Sequence, residues 1–436
     1  MQQDHTDAPQ VRHTEHEAQA NLLAVLRLCA MGTLRCSEKT RRPGAATVEA
    51  VADVLDSGDF YPHEAIAAFA WPMLLQAGGL AQITNGRLGL TPCGNAALTR
   101  APHLTIAQLW QRWLNNSLLD EFSRVEAIKG QRAANVLTAP KPRRKIVGQA
   151  LAGLTPGTWI AVDGLFTDMR AGGLVPAVHR TERALWKLYL EDPQYGNLGY
   201  DGHHGWSLLQ GRYTLAVLFE YAATLGLIDI EYVPASGARD DYQHNWGGDH
   251  LDQLSRYDGL AALRLNPLGA LAVGTAPDYT PTAAPAATPI GKVTVLANFD
   301  IVALDGLTSA DTLLLDGFAE KRSDRVWTLS TASLLDALGR GRALDELRRY
   351  LDRAASHPLP QTVTTLLDDA ARRTGLRDAG QIHLIECEDE ALATLIASDR
   401  RLRALCTRLG ERHLAVSPDR LSAFRKATTA LGYPLA

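Results

Sequence analysis

Apolar residues recur at helical spacing from Ala18 to Met31, with leucines and alanines forming one stripe, so the first strong element is a helix over 18–31. Leu34-Arg-Cys36 reads as a short extended piece, and Pro43 sits where a helix start tolerates it. Val48, Val51, Ala52 and Leu55 share one face of a second helix over 47–55. A third helix covers 65–75, and 80–90 is a strand, a turn and a strand. Asn85-Gly86 is the turn, because both residues accept the positive φ that a two-residue hairpin demands. Thr91-Pro92 leads into a further helix. This order predicts a winged-helix-like domain over 15–130. In the helix predicted over 106–118, Trp110 and Trp113 lie three apart on one face, which favours core packing over base stacking.

In the middle of the chain, 208–225 is a long apolar-periodic helix stopped by Gly226. Residues 227–233 alternate as a half-buried strand, 234–252 form a polar excursion, and 262–265 return as the partner strand. Residues 159–162 give another strand and 186–190 a short helix. A second winged-helix-like domain with an enlarged wing is therefore expected over 146–274. Four prolines among small residues mark 275–290 as an extended tether, and 130–145 reads as a weaker break.

Beyond the tether, 293–302 starts and ends apolar and reads as one strand. A helix follows over 311–319, with Leu313, Leu314 and Phe318 on one side. After a turn at 323–325 comes a strand over 326–329. Ser330 or Thr331 can accept from the free amides of the next helix, whose stripe is Leu334, Leu335 and Leu338. Leu344, Leu347 and Leu351 continue in a further helix, and Pro358-Leu359-Pro360 leads rigidly into one built on Val363, Leu366, Leu367 and Ala370. Strands at 382–385 and 413–416 flank a helix over 391–396. The segment 291–436 is a small mixed α/β domain, and the whole chain is α+β and multidomain.

Val326-Trp-Thr-Leu-Ser330, the helix after it, and Ser356-His-Pro-Leu-Pro-Gln361 opening another helix resemble the non-catalytic N-terminal domain of the XPB/Ssl2 family of DNA helicases. The resemblance spans about Lys292 to Pro434. In XPB-like proteins this domain precedes the motor. Winged helices followed by such a domain also resemble the clasp subunit of the eukaryotic transcription and repair factor. The resemblance implies a helicase partner or a DNA contact.

It does not imply ATP hydrolysis here. The sequence contains no G-x-x-x-x-G-K-[ST] run to cradle phosphates, and Glu388-Asp-Glu390 is followed by Ala391 instead of completing a helicase-type acidic box. At 436 residues the chain should hold two to four units, and 46% hydrophobic with 21% charged residues describes a folded, water-facing protein. The net charge of -4 excludes bulk electrostatic attraction to nucleic acid, so any DNA contact is local. The candidates are Lys39, Arg41 and Arg42 before a helix, Arg87 at the wing, the dense Lys141, Arg143, Arg144, Lys145 patch, and Arg400, Arg401 and Arg403. Asp201, His203, His204, His244, Asp249 and His250 lack the spacing of a zinc site, and five scattered cysteines favour reduced thiols in the cytoplasm. No catalytic group, cofactor or metal is expected. The polar N-terminus lacks an apolar signal core, and the apolar runs are too short to span a bilayer.

Two functions fit. One is a non-catalytic accessory protein that binds double-stranded DNA and recruits or regulates a helicase, a nuclease or another DNA-processing protein. The other is a DNA-binding transcriptional regulator whose C-terminal domain dimerises.

Overall fold

A computed structural model describes residues 8–191, 194, 196–199, 206–282, 293–304, 307–373 and 381–435. At its centre runs a mainly apolar helix. From Leu208 to Leu225 every residue is buried, the charged Arg212 and Glu220 included. It is α-helical over Arg212–Ala216 and wound in wider π turns over Trp206–Gly211 and Val217–Ala223. Trp113, on the Pro102–Leu114 helix, stacks on Tyr221 of this helix at 4.7 Å and on Trp110 at 5.2 Å, so both tryptophans serve the core.

The N-terminal segment reaches into the middle of the chain. Strand Gln10–Arg12 pairs antiparallel with Ile228–Tyr232, which pairs with Leu260–Leu265, which pairs with Trp159–Ala161 in one four-stranded sheet. The Thr14 hydroxyl opens the Thr14–Met31 helix and donates to the Ile228 carbonyl at 2.6 Å. Phe60 packs on Phe219 and Tyr232 at 5.0 and 6.2 Å. The expected units 15–130 and 146–274 therefore share one hydrophobic core, running from Ala18 to Leu313. Strand Ile228–Tyr232 is almost wholly buried, not half-buried, because the sheet has protein on both sides of it.

The start of the expected tether is pinned. Tyr279 donates to Glu15 at 2.8 Å and stacks on His103 at 4.7 Å, and the Thr282 amide donates to Glu15 at 3.2 Å. Residues 283–292 lie outside the described residues.

After them, the single strand expected over 293–302 is a hairpin. Val293–Val295 pairs with Asp300–Ala303, and Phe299 takes the positive φ of 74° at the turn. Val326–Thr328 and Glu320–Ser323 complete a second four-stranded sheet, backed by helices Ser309–Phe318, Thr331–Gly339, Leu344–Ala354 and Gln361–Arg372. Ser330 caps the second of these in a reciprocal capping box with Ser333. Helix Ser309–Phe318 serves two cores. Ala310 and Leu313 pack into the first, and Leu314, Leu315 and Phe318 into the second.

Contacts divide the chain into Met1–Ala371 and Arg372–Ala436. The break falls inside the domain expected over 291–436, not at the proline-rich segment. The shorter unit has a three-stranded sheet, His383–Glu386 and Thr407–Leu409 on either side of His413–Val416, with helices Glu390–Ser398 and Leu421–Ala430. Its own core includes Ile396, Leu402, Leu414, Val416 and Phe424. The chain is thus α+β and multidomain. Among the described residues no helix is long and apolar enough to cross a membrane.

Candidate nucleic-acid interface

Residues 34–36 run antiparallel to the second strand of the Ala81–Thr84, Arg87–Leu90 hairpin, with the Leu88 amide donating to the Leu34 carbonyl at 2.9 Å and Cys36 to Gly86 at 3.1 Å. The loop that follows closes on itself through the Arg41 amide and the Ser37 carbonyl, 2.7 Å apart. The Glu38 carboxylate accepts from the Gly86 amide at 2.9 Å, tying that loop to the hairpin tip. Lys39, Arg41, Arg87 and the additional Arg35 are all exposed along this joined edge. The Ala67–Ala77 helix beneath it is buried from Ala67 to Leu75, so it has no free face to lay in a groove. Arg42 leaves the edge and donates to the Ser123 hydroxyl at 2.7 Å.

The 141–145 patch is not a patch. Pro140 starts a helix, Pro140–Ala152, instead of a linker, and Arg143 and Arg144 have side chains only 1% exposed. Arg143 pairs with Asp120 at 2.5 Å, while Arg144 donates from Nε to Glu121 at 2.6 Å and from Nη1 to the Trp113 carbonyl at 2.7 Å. Only Lys141 and Lys145 face solvent. The two arginines belong to a buried ionic girdle around the central helix. Arg124 donates to Glu220 at 2.9 Å, Tyr257 donates to the same carboxylate, and Arg212 sits 3.0 Å from Asp258 and 2.6 Å from Asp241. Burial pulls the Arg124 guanidinium down, but the charge of Glu220 beside it outweighs this and holds the group above its ordinary value. Cations held this way cannot reach a phosphate. The helical period carried the signal: Arg143 and Arg144 precede Val147, Ala150 and Leu151 by the spacing of one buried face.

Arg400, Arg401 and Arg403 are exposed in the shorter unit, on a turn anchored by buried Leu402 and by Asp399, whose carboxylate accepts from the Arg401 amide at 2.7 Å. His244, Asp249 and His250 are exposed on the 234–252 excursion, and Asp201, His203 and His204 lie outside the described residues. Burial pushes the Cys36 thiol up to about 11 and the Cys29 thiol higher still, so neither is a ready nucleophile.

One cavity, of about 850 Å³, brings together residues that the sequence pattern left apart. Its floor is the strand pair Ile128–Lys129 and Tyr189–Leu190, and its wall is the 130–138 loop. Gly130 makes the turn at φ +79°, where an added Cβ would lie 1.7 Å from the Lys187 carbonyl. Lys129 and Tyr189 are directly opposed across the pair, so their side chains share a face. Arg42, Lys129 and Arg132 line the space. None of the three has a carboxylate partner among the described residues, whereas Asp120 is taken by Arg143, and Glu126 by Arg256 at 3.2 Å. Cations flanking a glycine were visible in the sequence. Tyr189 was not, because a pairing across some 60 residues leaves no local pattern.

The chain is thus a multidomain α+β protein whose cations gather on a hairpin edge and around one cavity. Its second sheet, with the strand and helix that open the shorter unit, lies in a segment related to helicases: residues 294–410 match the family model described as a helicase conserved C-terminal domain. No curated protein matches the chain. The match links the segment to helicases broadly, and its description is of a C-terminal domain, where the residue pattern resembled a non-motor N-terminal one. Two described glycines of this segment serve packing and turning. A Cβ at Gly317 would lie 2.1 Å from Arg342 Nη1, and Gly341 makes the positive-φ turn between two helices.

Proposed function

We propose that the chain is a non-catalytic accessory protein that holds double-stranded DNA and recruits or regulates a helicase or other DNA-processing partner. The match of residues 294–410 to a helicase domain carries this reading, together with the missing phosphate-loop motif, which leaves the motor to be supplied from outside these residues. The segment acts in this reading as an XPB-like gripping domain. The N-terminal elements act as a winged helix, supported by their order of helix, extended piece, two helices and hairpin, and by the bridge of Arg35 to Arg87. With helix Ala67–Ala77 buried, DNA meets the hairpin edge through Lys39, Arg41 and Arg87, which positions the duplex without reading bases. That favours an accessory role over a sequence-selective regulator. Affinity capture from the native cell, with and without nuclease, should recover a helicase or nuclease in both samples, and that partner's ATPase or cleavage should rise on adding the chain. Absence of any protein partner, with nanomolar sequence-selective DNA binding, would overturn the reading.

A further inference from the structure

We propose that the cavity between the 130–138 loop and the Ile128–Lys129, Tyr189–Leu190 strand pair binds single-stranded nucleic acid, with phosphates on Arg42, Lys129 and Arg132 and a base against Tyr189. The inference rests on the nucleic-acid role proposed above but places the strand on a different surface from the hairpin edge. Four observations meet here.

The first is charge. In a chain of net charge -4, three cations line one concavity against two carboxylates, of which Asp120 is held by Arg143 and Glu126 shares Arg256 with Glu64, so the lining is net positive. A ligand entering it meets uncompensated positive charge in a recess, where fields are focused. The second is reinforcement from behind the wall. Lys187 Nζ donates to the Ala134 carbonyl at 3.1 Å and Arg180 Nε to the Leu137 carbonyl at 2.7 Å, so two more cations are fixed to the same loop. Buried Arg143 gives Nη2 to Asp120 and, at 3.0 Å, to the Thr138 carbonyl, which fixes the cavity wall from the core side.

The third is the aromatic. Tyr189 shares its face with Lys129, and a cation beside a ring is how strand-binding grooves hold a phosphate and stack the adjoining base. The fourth is size. About 850 Å³ lies within the roughly 300–1,000 Å³ of small-ligand sites, room for a short run of nucleotides. A strand freed by an unwinding partner has the shape and charge this recess accepts.

The test is fluorescence anisotropy with a labelled oligothymidylate of about 20 nucleotides and, in parallel, a duplex of the same length. Lys129 and Arg132 are exposed, so K129E/R132E should fold normally. It should lower single-strand affinity about tenfold or more and flatten the salt slope by about 1.4, at roughly 0.7 per lost phosphate contact, with duplex binding unchanged. Tyr189→Leu should lose about fivefold to a hundredfold in single-strand affinity with an unaltered salt slope. Should K129E/R132E misfold, photo-cross-linking of the native protein to an iodouridine-substituted strand decides: adducts at Tyr189 support the site, and adducts confined to other regions overturn it. Single-strand affinity and slope that are unchanged in both variants, or no single-strand binding by the native chain, would also overturn it. Those results leave duplex binding and partner capture standing, so the cavity and the accessory role fail separately.

Discussion

Arg144 lies in the core with Nε on Glu121 and its other N–H groups on the carbonyls of Trp113, Asn116 and Leu119, while its guanidinium covers the Trp113 ring at 4.7 Å. Removing one partner of such a pair strands the other as an uncompensated buried charge. Arg144→Ala should therefore cost about 3–5 kcal/mol, read as a fall in the urea midpoint, and combining Arg144→Met with Glu121→Leu should recover much of the loss. Lys141→Glu and Lys145→Glu, both exposed, should change stability by no more than about 0.5 kcal/mol. Charge density alone led to reading these four cations as one patch. The apolar period through Val147, Ala150 and Leu151 separates the buried pair from the exposed pair, and it is visible in the sequence. The acceptors are not, since Asp120 and Glu121 become partners only when the Glu121–Arg124 turn folds back beside the Pro140–Ala152 helix.

The hairpin and the loop before it act as one element because the Glu38 carboxylate joins them at Gly86. Reversing Lys39 and Arg87 together should weaken duplex DNA binding alike for every sequence and reduce the salt slope by about 1.8, at roughly 0.9 per phosphate, as measured by anisotropy over a salt series. A sequence-dependent loss would mean that bases are read there after all. The Asn85-Gly86 turn was legible because its chemistry is local, with φ values of 51° and 72° as a two-residue hairpin requires. The turn between Val293–Val295 and Asp300–Ala303 was not, although Asn298 and Asp300 are turn formers and hydrogen-bond each other at 2.8 Å. Apolar residues on both flanks made the run read as one strand, and Phe299 at φ 74° is a residue that pattern does not anticipate in a turn. The N-terminal strand was equally hidden, since Gln10–Arg12 is set by pairing with residues more than 200 positions away.

Proline content placed the main division of the chain near residue 280, but the forces that join or separate units lie elsewhere. Across that segment, Arg27 of the first core donates to Glu346 at 3.0 Å, and Glu346 also accepts from Arg342 at 3.0 Å, all of them buried. Helix Ser309–Phe318 contributes apolar side chains to both cores, so the two cannot part without exposing Ala310 and Leu313 on one side or Leu314, Leu315 and Phe318 on the other. If a protease site placed between Thr282 and Val293 is cut, the two pieces should still elute together, and Glu346→Gln should make them separable by leaving two buried arginines short of charge. The division that does exist follows Ala371. The unit it releases, Arg372–Ala436, falls below the roughly 70 to 80 residues at which one core becomes self-sufficient, and its buried set of Cys387, Ala393, Ile396, Leu402, Leu414, Val416 and Phe424 is small. Scanning calorimetry of the intact chain should accordingly show two transitions, the weaker at lower temperature. Phe424→Ala, which removes the largest buried side chain of that core, should lower only the first, because a cavity costs about 3–5 kcal/mol where it is made and nothing in a unit that does not share it. A single transition shifted as a whole by Phe424→Ala would show that the shorter unit draws its stability from the larger one.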